Sequence, residues 1–513
     1  MTSNLLILKS RLRKYGYAIA AFVIPLIIRS IPEALSWPYP LGLDTLNVMP
    51  QIQQASVFTL GPVGFLKSTN LFFLIATLLY ELLHNVVTVI KILGPLLLAA
   101  LSFTMYLYAR KGLSWNNKKS LLVSILVATY FVSLRDSWDL YRQTVGLVFL
   151  MAALISLKSF NSPRRYYLAS LFMVLTVLSH ELASAILFFV VALEATRYLI
   201  KKMRKESLYL LASAALPAAL FLFQRYSPLD GTLSVPSSIV ASGPSIGLAA
   251  YMGGLLIYCY AIILPLVLLG IKGLKDRPLK YWVLLCVGIV LVELLYPNAP
   301  LYFWNRWVYI LVYPLLFFAV QGLDWLWRFA GNSKVKVKRL LPKLFAIAYV
   351  FLLLVLSGYY LTSSPENALP YFSQYNPYLA EIPSSMLQNT ISISDNPALI
   401  GCFEWINNNT AASSVFVSHY ALYDLAEIYL PSRLIVAVLQ GPSMYVDIQN
   451  ETALAYQMVL TAHQYSAEGQ VEVYTVWWIS GQGWYGIQSL PSAFQEVYHS
   501  GKMAVYLYNP AAG

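Results

Sequence analysis

The sequence VTVIKILGPLLLAALSFTMYLYARK, residues 87–111, is an apolar run that ends in a basic pair. As a helix, the part up to Tyr108 is long enough to cross about 30 Å of hydrocarbon. The whole chain shares this character, with 58% hydrophobic and only 11% charged residues over its 513 positions and a mean hydropathy of +0.61. Soluble domains carry about 25% charged residues. The composition therefore predicts an integral membrane protein.

The stretch just before it, residues 70–84 (NLFFLIATLLYELLH), is apolar but short. If it crosses the membrane, Arg110, Lys111, Lys118 and Lys119 face outside. If it lies at the outer interface or dips in and returns, these four face the cytoplasm. The excess of basic residues in cytoplasmic loops favours the second topology.

That choice predicts a polytopic α-helical membrane protein of about eleven spans, with the N-terminus inside and the C-terminus outside. Most of the 35 lysines and arginines then lie at cytoplasmic span ends, as the positive-inside bias requires. The predicted spans are Tyr15–Ile31, Val87–Tyr108, Leu121–Leu134, Thr144–Leu157, Tyr166–Ser179, Leu182–Ile200, Leu208–Phe223, Leu248–Leu269, Tyr281–Tyr296, Arg306–Leu326 and Leu344–Leu361.

The domain boundary falls where apolar runs of spanning length stop. Residues 1–362 form the predicted membrane domain and residues 363–513 a soluble extracytoplasmic domain. This tail has only two basic residues, Arg433 and Lys502, against eleven acidic ones. Strand-like runs at 414–417, 434–439, 471–478 and 503–508, with a helical stretch at 452–463, predict an α/β fold.

The formal net charge of +12 does not indicate a nucleic-acid partner. The basic residues of the membrane part lie in short clusters between apolar segments, where they set orientation. Three cysteines, two of them in apolar runs, predict no disulfide framework.

The first external loop begins with WPYPLGLDTLN, residues 37–47. Pro38, Pro40 and Gly42 predict a non-helical turn that presents the carboxylate of Asp44 just outside the bilayer. A single loop aspartate is usually a turn residue. Asp44 gains interest only because other external charges are predicted to share its side of the membrane.

The densest of these charges form RDSWDLYRQ, residues 135–143. If this stretch starts a helix, Arg135, Asp139 and Arg142 share one face. The arginines could then bind an anion and Asp136 or Asp139 a cation. The alternative is a short loop whose exposed ion pairs contribute little.

Two further groups stand out against apolar surroundings. His180 and Glu181 lie at the junction of the fifth and sixth spans, where a polar pair needs polar partners or water; they could bind phosphate or metal, or simply bond each other at a buried hairpin tip. Arg306 heads the tenth span among aromatic residues. It could hold a phosphate or extend to the membrane surface as an ordinary interfacial arginine.

Together these features resemble the GT-C superfamily of membrane glycosyltransferases, in its archaeal and bacterial form. The matching features are the acidic first loop (Gly42-Leu43-Asp44), the charged second loop (residues 135–142), the late arginine (Asn305-Arg306-Trp307) and a C-terminal external domain. The tail's EWINNNT (404–410) followed by SVFV (414–417) looks like the start of the soluble domain in those members.

The resemblance implies Asp44 as general base or metal ligand and Asp136 or Asp139 as a second acidic site. It also implies that Arg306 and His180 contact the lipid phosphate. The implied metal ligands are Asp44 and Asp139, for a divalent cation such as magnesium or manganese. The second loop lacks the Asp-x-Asp or Asp-x-Glu pair of the family, so metal dependence stays open. No acid follows Val476-Trp477-Trp478 either, which argues against an N-oligosaccharyltransferase.

The resulting expectation is a cell-membrane glycosyltransferase that works on the external face with inversion. Its partners would be a polyprenyl-phosphate donor, of which dolichyl phosphate is one kind, and a glycan, lipid or protein acceptor. One alternative is a polymerase or ligase of lipid-linked glycans. Another is a lipid or solute transporter without chemistry, for which interrupted spans or internal repeats would be typical.

Overall fold

The computed structural model describes residues 2–42, 45–159, 164–226, 246–295, 304–331, 336–362, 391, 393–438, 451–469, 471–480 and 489–512. The chain divides into two compact units. Unit 1 comprises Met1–Ile31 and Ala55–Gly358, and unit 2 comprises Pro32–Gln54 and Tyr359–Gly513. Residues 32–54, which belong to the predicted first external loop, therefore group with the tail.

The described residues of the first half of the chain are almost entirely helical. The helices are α1 (Thr2–Leu35), α2 (Thr45–Gln53), α3 (Ser56–Thr59), α4 (Gly61–Leu66), α5 (Leu71–Leu83), α6 (Val86–Leu107), α7 (Asn117–Thr129), α8 (Phe131–Asp139), α9 (Tyr141–Ser159), α10 (Arg164–Ser179), α11 (Glu181–Ile200) and α12 (Arg204–Tyr226). A short π-helix, Tyr108–Gly112, continues α6.

The second half contains the remaining helices and all described strands. The helices are α13 (Ile246–Tyr260), α14 (Leu264–Ile271), α15 (Arg277–Leu295), α16 (Trp304–Ile310), α17 (Val312–Gly331), α18 (Lys336–Thr362), α19 (Asn396–Asn409), α20 (Tyr420–Tyr429) and α21 (Glu451–Gly469). The strands are β1 (Val415–His419), β2 (Leu434–Val438), β3 (Val473–Trp478), β4 (Phe494–Ser500) and β5 (Met503–Tyr508).

Unit 1 contains the helices that are suited to a membrane. Within the described ranges six are long and apolar enough to cross one, or up to eight if each of two bent helix pairs is one span. The six are Tyr15–Leu35, Val86–Gly112, Glu181–Ile200, Arg204–Arg225, Asn305–Phe329 and Leu340–Thr362. Residues 307–320, which include the first half of α17, are all buried, whereas α18 exposes large apolar side chains, as a lipid-facing helix does. The sequence count of eleven spans and their orientation stay predictions.

Two predicted spans are broken in the structure. The span predicted at Leu121–Leu134 is divided into α7 and α8, which meet at 61° around Tyr130, whose backbone is extended. The span predicted at Leu248–Leu269 is divided into α13 and α14, at 78°. Apolar residues continue through both breaks, so hydropathy alone cannot detect them.

Two glycines allow helices α14 and α17 to cross in direct backbone contact. A Cβ at Gly270 of α14 would lie 1.9 Å from the Phe318 carbonyl oxygen, and one at Gly322 of α17 would lie 2.0 Å from the Leu266 carbonyl oxygen. The backbones therefore touch directly, which only small residues allow.

Helix α5 is about 20 Å long at 1.5 Å per residue, and His84 ends it in a left-handed conformation.

Unit 2 is a mixed sheet with helices packed against it. The strand order is β2-β1-β3-β5-β4, with β1 parallel to β2 and β3, and β5 antiparallel to β3 and β4. The four strands and the helix that the sequence predicts are present. β1 and β3 are buried along their full length, which explains their continuous apolar pattern. Helix α2, from the 32–54 segment, packs against α20.

Candidate functional site

The break between α7 and α8 carries two charged residues into the interior of unit 1. Arg135 and Asp136 lie on α8, which packs against α6, α7, α9, α16 and α17. The side chains are 2% and 0% exposed. The alternative of a solvated loop therefore does not describe these two residues. Burial of an ion at membrane depth is costly, and such residues usually face a cavity or a partner.

Asp136 has aromatic and thiol neighbours. Tyr313 of α17 and the consecutive Cys259 and Tyr260 of α13 all interact electrostatically with its carboxylate. Two hydrogen bonds hold these neighbours in place. The Tyr130 hydroxyl donates to the Cys259 carbonyl, and the Tyr260 hydroxyl donates to the Val308 carbonyl. Asp136 is therefore held within a closely packed, largely apolar environment.

The stretch 135–143 is not one helix. Helix α8 ends at Asp139, and Leu140 has a non-helical backbone with φ −80° and ψ 54° before α9 begins at Tyr141. The shared face predicted for Arg135, Asp139 and Arg142 is therefore wrong, because the spacing rule holds only within a continuous helix. Arg135 and Arg142 belong to different helices.

Arg142 instead belongs to a second cluster, around His180. Glu181, Arg306 and Arg142 all act electrostatically on the His180 imidazole. His180 has an extended backbone between α10 and α11, as its position at a span junction predicts. Both His180 and Glu181 are buried, while Arg142 and Arg306 are half-buried. Two cations and one carboxylate thus lie close enough to the His180 imidazole to act on it electrostatically, at the end of the helix bundle where α10 and α11 join.

Two contacts hold this cluster in place. A Cβ at Gly146 of α9 would lie 2.8 Å from the His180 Cβ, so a glycine is needed for α9 to approach the α10–α11 junction. The Arg142 guanidinium donates to the Thr69 hydroxyl, just before α5. The positions of His180 and Arg142 are therefore set by side-chain packing and hydrogen bonding.

Three buried polar atoms at or beside the cluster have no hydrogen-bond partner among the described residues. They are Nδ1 of His180 and both amide atoms of Gln143. Gln143 precedes Gly146 by three positions, so it lies on the face of α9 that meets His180. A buried polar group without a partner costs about 1–3 kcal/mol. This face of α9 is therefore suited to a polar ligand or water.

Two residues that the structure makes important are not among the site residues predicted from the sequence. Gln143 is an uncharged polar residue at the start of an apolar helix, which is too common to stand out. Arg29 of α1 is fully buried, donates from Nε to the Ser137 hydroxyl at 3.2 Å and from Nη2 to the Ser137 carbonyl at 3.4 Å, and stacks 4.5 Å from the Trp138 ring. Arg29 thereby holds the end of α8.

Other predicted site residues lie outside the described part of the chain. Asp44 is among them, and so is the side chain of Asp139, although its backbone ends α8. Among the described residues, no group of three or more His, Cys, Asp or Glu side chains could hold a metal ion. The metal ligands implied for Asp44 and Asp139 stay predictions.

Comparison with known proteins finds a similarity only among solved structures. No family model matches the chain, and no curated protein does. One similar structure is the crystal structure of the Archaeoglobus fulgidus oligosaccharyltransferase in complex with zinc and sulfate. It is 14% identical, with a TM-score of 0.48, and the match covers 90% of this chain and 68% of that chain.

Proposed function

We propose that this protein is a membrane glycosyltransferase that moves a sugar from a polyprenyl-phosphate donor to an acceptor at the outer membrane face, with inversion. The observation that carries the proposal is the cluster of Arg142, His180, Glu181 and Arg306 at one end of the apolar helix bundle. Intramembrane ionisable groups that meet in this way usually mark a functional site. The resemblance of the sequence to the GT-C superfamily supplies the reaction class.

Glycosyl transfer from a lipid phosphate explains why cations are needed here. The bond between the sugar C1 and the phosphate oxygen breaks, and its electron pair leaves with the lipid phosphate, which gains a negative charge. We assign Arg142 and Arg306 to stabilise that charge, because guanidinium is well suited to phosphate oxygens. The acceptor oxygen forms the new bond to C1 from the opposite face.

The acceptor hydroxyl must lose its proton in this step, which requires a general base. Asp44 is the proposed base, on the grounds of its position in the first external loop of the sequence. Glu181 is not proposed for this role, because it lies beside the cations that would bind the leaving group. Gln143 and His180 Nδ1 are proposed to hydrogen-bond the sugar hydroxyls or the phosphate.

A transporter of an anionic lipid or solute is the second candidate. Two broken helix pairs, α7–α8 and α13–α14, favour it, because interrupted helices are typical of transporter binding sites. A polymerase or ligase of lipid-linked glycans would use the same site with a different acceptor.

A transfer assay in proteoliposomes separates these functions. Mass spectrometry of the co-purified lipid identifies the donor. The donor is then prepared with a labelled sugar and added to the proteoliposomes. We expect transfer by wild type and at least a hundredfold loss in Asp44→Asn and Arg306→Gln. Arg225→Gln, which removes a cation outside the cluster, is the matched control.

Each other outcome points to a different conclusion. Full activity of Asp44→Asn would refute the assigned base. Movement of the intact labelled lipid across the bilayer without sugar transfer would establish the transporter instead. Equal losses of activity in Arg306→Gln and Arg225→Gln would show that the His180 cluster contributes no more to transfer than a cation outside it.

A further inference from the structure

A cavity lies at the other end of the helices that carry the His180 cluster. It encloses about 410 Å³ and is lined by residues of α9, α10, α11, α12 and the start of α15. Arg197 of α11 lines this cavity and follows His180 by 17 positions, which at 1.5 Å per residue corresponds to about 25 Å. The cavity is therefore distinct from the candidate functional site.

Both carboxylates of this cavity are already occupied. Asp276 accepts hydrogen bonds from the Tyr108 hydroxyl at 2.8 Å and from the backbone N–H of Leu279 at 3.1 Å, and it pairs with Lys158. Glu194 accepts from Arg197, with distances of 2.9 Å from Nε and 2.5 Å from Nη2. Neither carboxylate is left to neutralise another cation.

Three lining cations remain: Arg165, Lys275 and Arg277. Among the residues that the structure describes, none of them has a carboxylate partner. Arg165 is oriented by its neighbour, because its guanidinium lies 4.7 Å from the Tyr166 ring centroid and Nη2 donates to the Tyr166 hydroxyl at 2.8 Å. The cavity thus has an excess of positive charge, and the Arg165 guanidinium is held in place within it.

The remaining lining is apolar and includes Leu154, Val190 and Leu210. A cavity with an apolar wall and cationic groups fits an amphiphilic anion. The volume lies within the range of roughly 300–1,000 Å³ that is usual for small-molecule sites. Orientation in the membrane requires basic residues near span ends, but it does not require them to converge on one concavity with apolar walls.

We propose that this cavity binds the phosphate group of an anionic membrane lipid. Arg165, Lys275 and Arg277 contact the phosphate, and the apolar wall contacts the glycerol and the first acyl carbons. Basic cavities between membrane helices bind acidic headgroups by this chemistry. The site does not depend on the proposed glycosyl transfer, because its residues are separate from the His180 cluster.

Native mass spectrometry of the detergent-purified full chain tests the proposal. Wild type and the double variant Lys275→Gln/Arg277→Gln are titrated with phosphatidylglycerol or with zwitterionic phosphatidylcholine. We expect wild type to retain phosphatidylglycerol selectively and the double variant to bind it at least about tenfold more weakly. Lys272→Gln/Lys280→Gln is the matched control, since it removes two exposed cations of the same region that do not line the cavity. Its affinity should stay within about twofold of wild type.

Three results would overturn the proposal. They are equal retention of both lipids by wild type, equal weakening in the control variant, and displacement of phosphatidylglycerol by millimolar inorganic phosphate, which would indicate a free-anion site. Thermal unfolding of each variant checks its fold. If the double variant is unfolded, Arg165→Gln replaces it with the same expected loss of selectivity.

Discussion

His419, at the end of β1, should make the tail domain sensitive to acid. Its side chain is fully buried, with its ring 5.0 Å from that of Trp477, and burial lowers its pKa from 6.5 to about 3. Between these values the unfolded chain binds a proton that the folded domain does not. The free energy of unfolding therefore decreases as the pH is lowered below about 6.5, by up to about 1.4 kcal/mol for each pH unit.

Hydrogen–deuterium exchange of the β1 peptide in the full chain measures this slope between neutral pH and pH about 5. His419→Gln should flatten it, whatever the variant's stability at neutral pH. His499→Gln, at a side chain that is 66% exposed, should leave the slope unchanged. A slope that persists in His419→Gln would assign the acid sensitivity to other groups.

Arg29 supports the end of α8 through hydrogen bonds to Ser137 and through the Trp138 ring. Replacement by methionine keeps an unbranched stem as far as the position of Nε but leaves the Ser137 hydroxyl and carbonyl without their charged donor. We expect unit 1 to lose about 2 kcal/mol of stability, measured by thermal unfolding in detergent. Arg328→Met is the control, because Arg328 is 71% exposed and an exposed pair contributes less than about 1 kcal/mol. Equal losses would contradict the role given to Arg29.

The sequence identifies some of the buried charges as site residues, but not Arg29 and not all of the partners. Arg135, Asp136 and His180 stand out because a charge in an apolar context is rare. Arg29 and Gln143 do not, since their importance comes from contacts between helices distant in the sequence. Arg29 and Ser137 are 108 positions apart, and no local periodicity links them.

At the level of elements, the crossing of α14 and α17 has no room for a side chain at Gly270. Gly270→Ala should separate the two backbones and destabilise unit 1 by about 1–3 kcal/mol, the usual cost of overpacking. Gly288→Ala is the control, because a Cβ there meets no atom within 4 Å and alanine favours the helix by about 1 kcal/mol. Thermal unfolding of both variants in detergent gives the comparison. Equal shifts in the unfolding temperature of the two variants would show that the crossing of α14 and α17 can accommodate a side chain at Gly270.

Strands were predictable where the sequence is continuously apolar, as in β3 and in the edge strand β2, and the edge strand β4 was not predicted. β3 reads VYTVWW and is apolar on both faces, whereas β4 reads FQEVYHS and exposes Gln495 and Glu496. Polar side chains and the bulge between Glu496 and Tyr498 are common on edge strands, where they discourage pairing with other chains. The same features remove the apolar pattern by which a strand is detected in sequence.

For the whole molecule, the predicted topology places the tail outside and the basic span ends inside. A membrane-impermeant maleimide applied to intact cells should label Asn408→Cys but not Lys111→Cys, both at exposed positions. The native Cys259, Cys286 and Cys402 are buried and should give little background. Permeabilised cells, in which both variants should react, are the control. Labelling of Lys111→Cys in intact cells would refute the predicted orientation.

Unit 2 combines Pro32–Gln54 with Tyr359–Gly513, and this has a consequence for biogenesis. The first of these segments leaves the ribosome before roughly 300 residues of unit 1 are made. At about 5–20 residues per second, α2 waits some tens of seconds for α20, the helix it packs against. During this interval a chaperone or the translocation machinery has access to the segment. Unit 2 therefore forms only after both of its segments have been synthesised. A ribosome that stalls within the tail leaves residues 32–54 without the helix against which they pack.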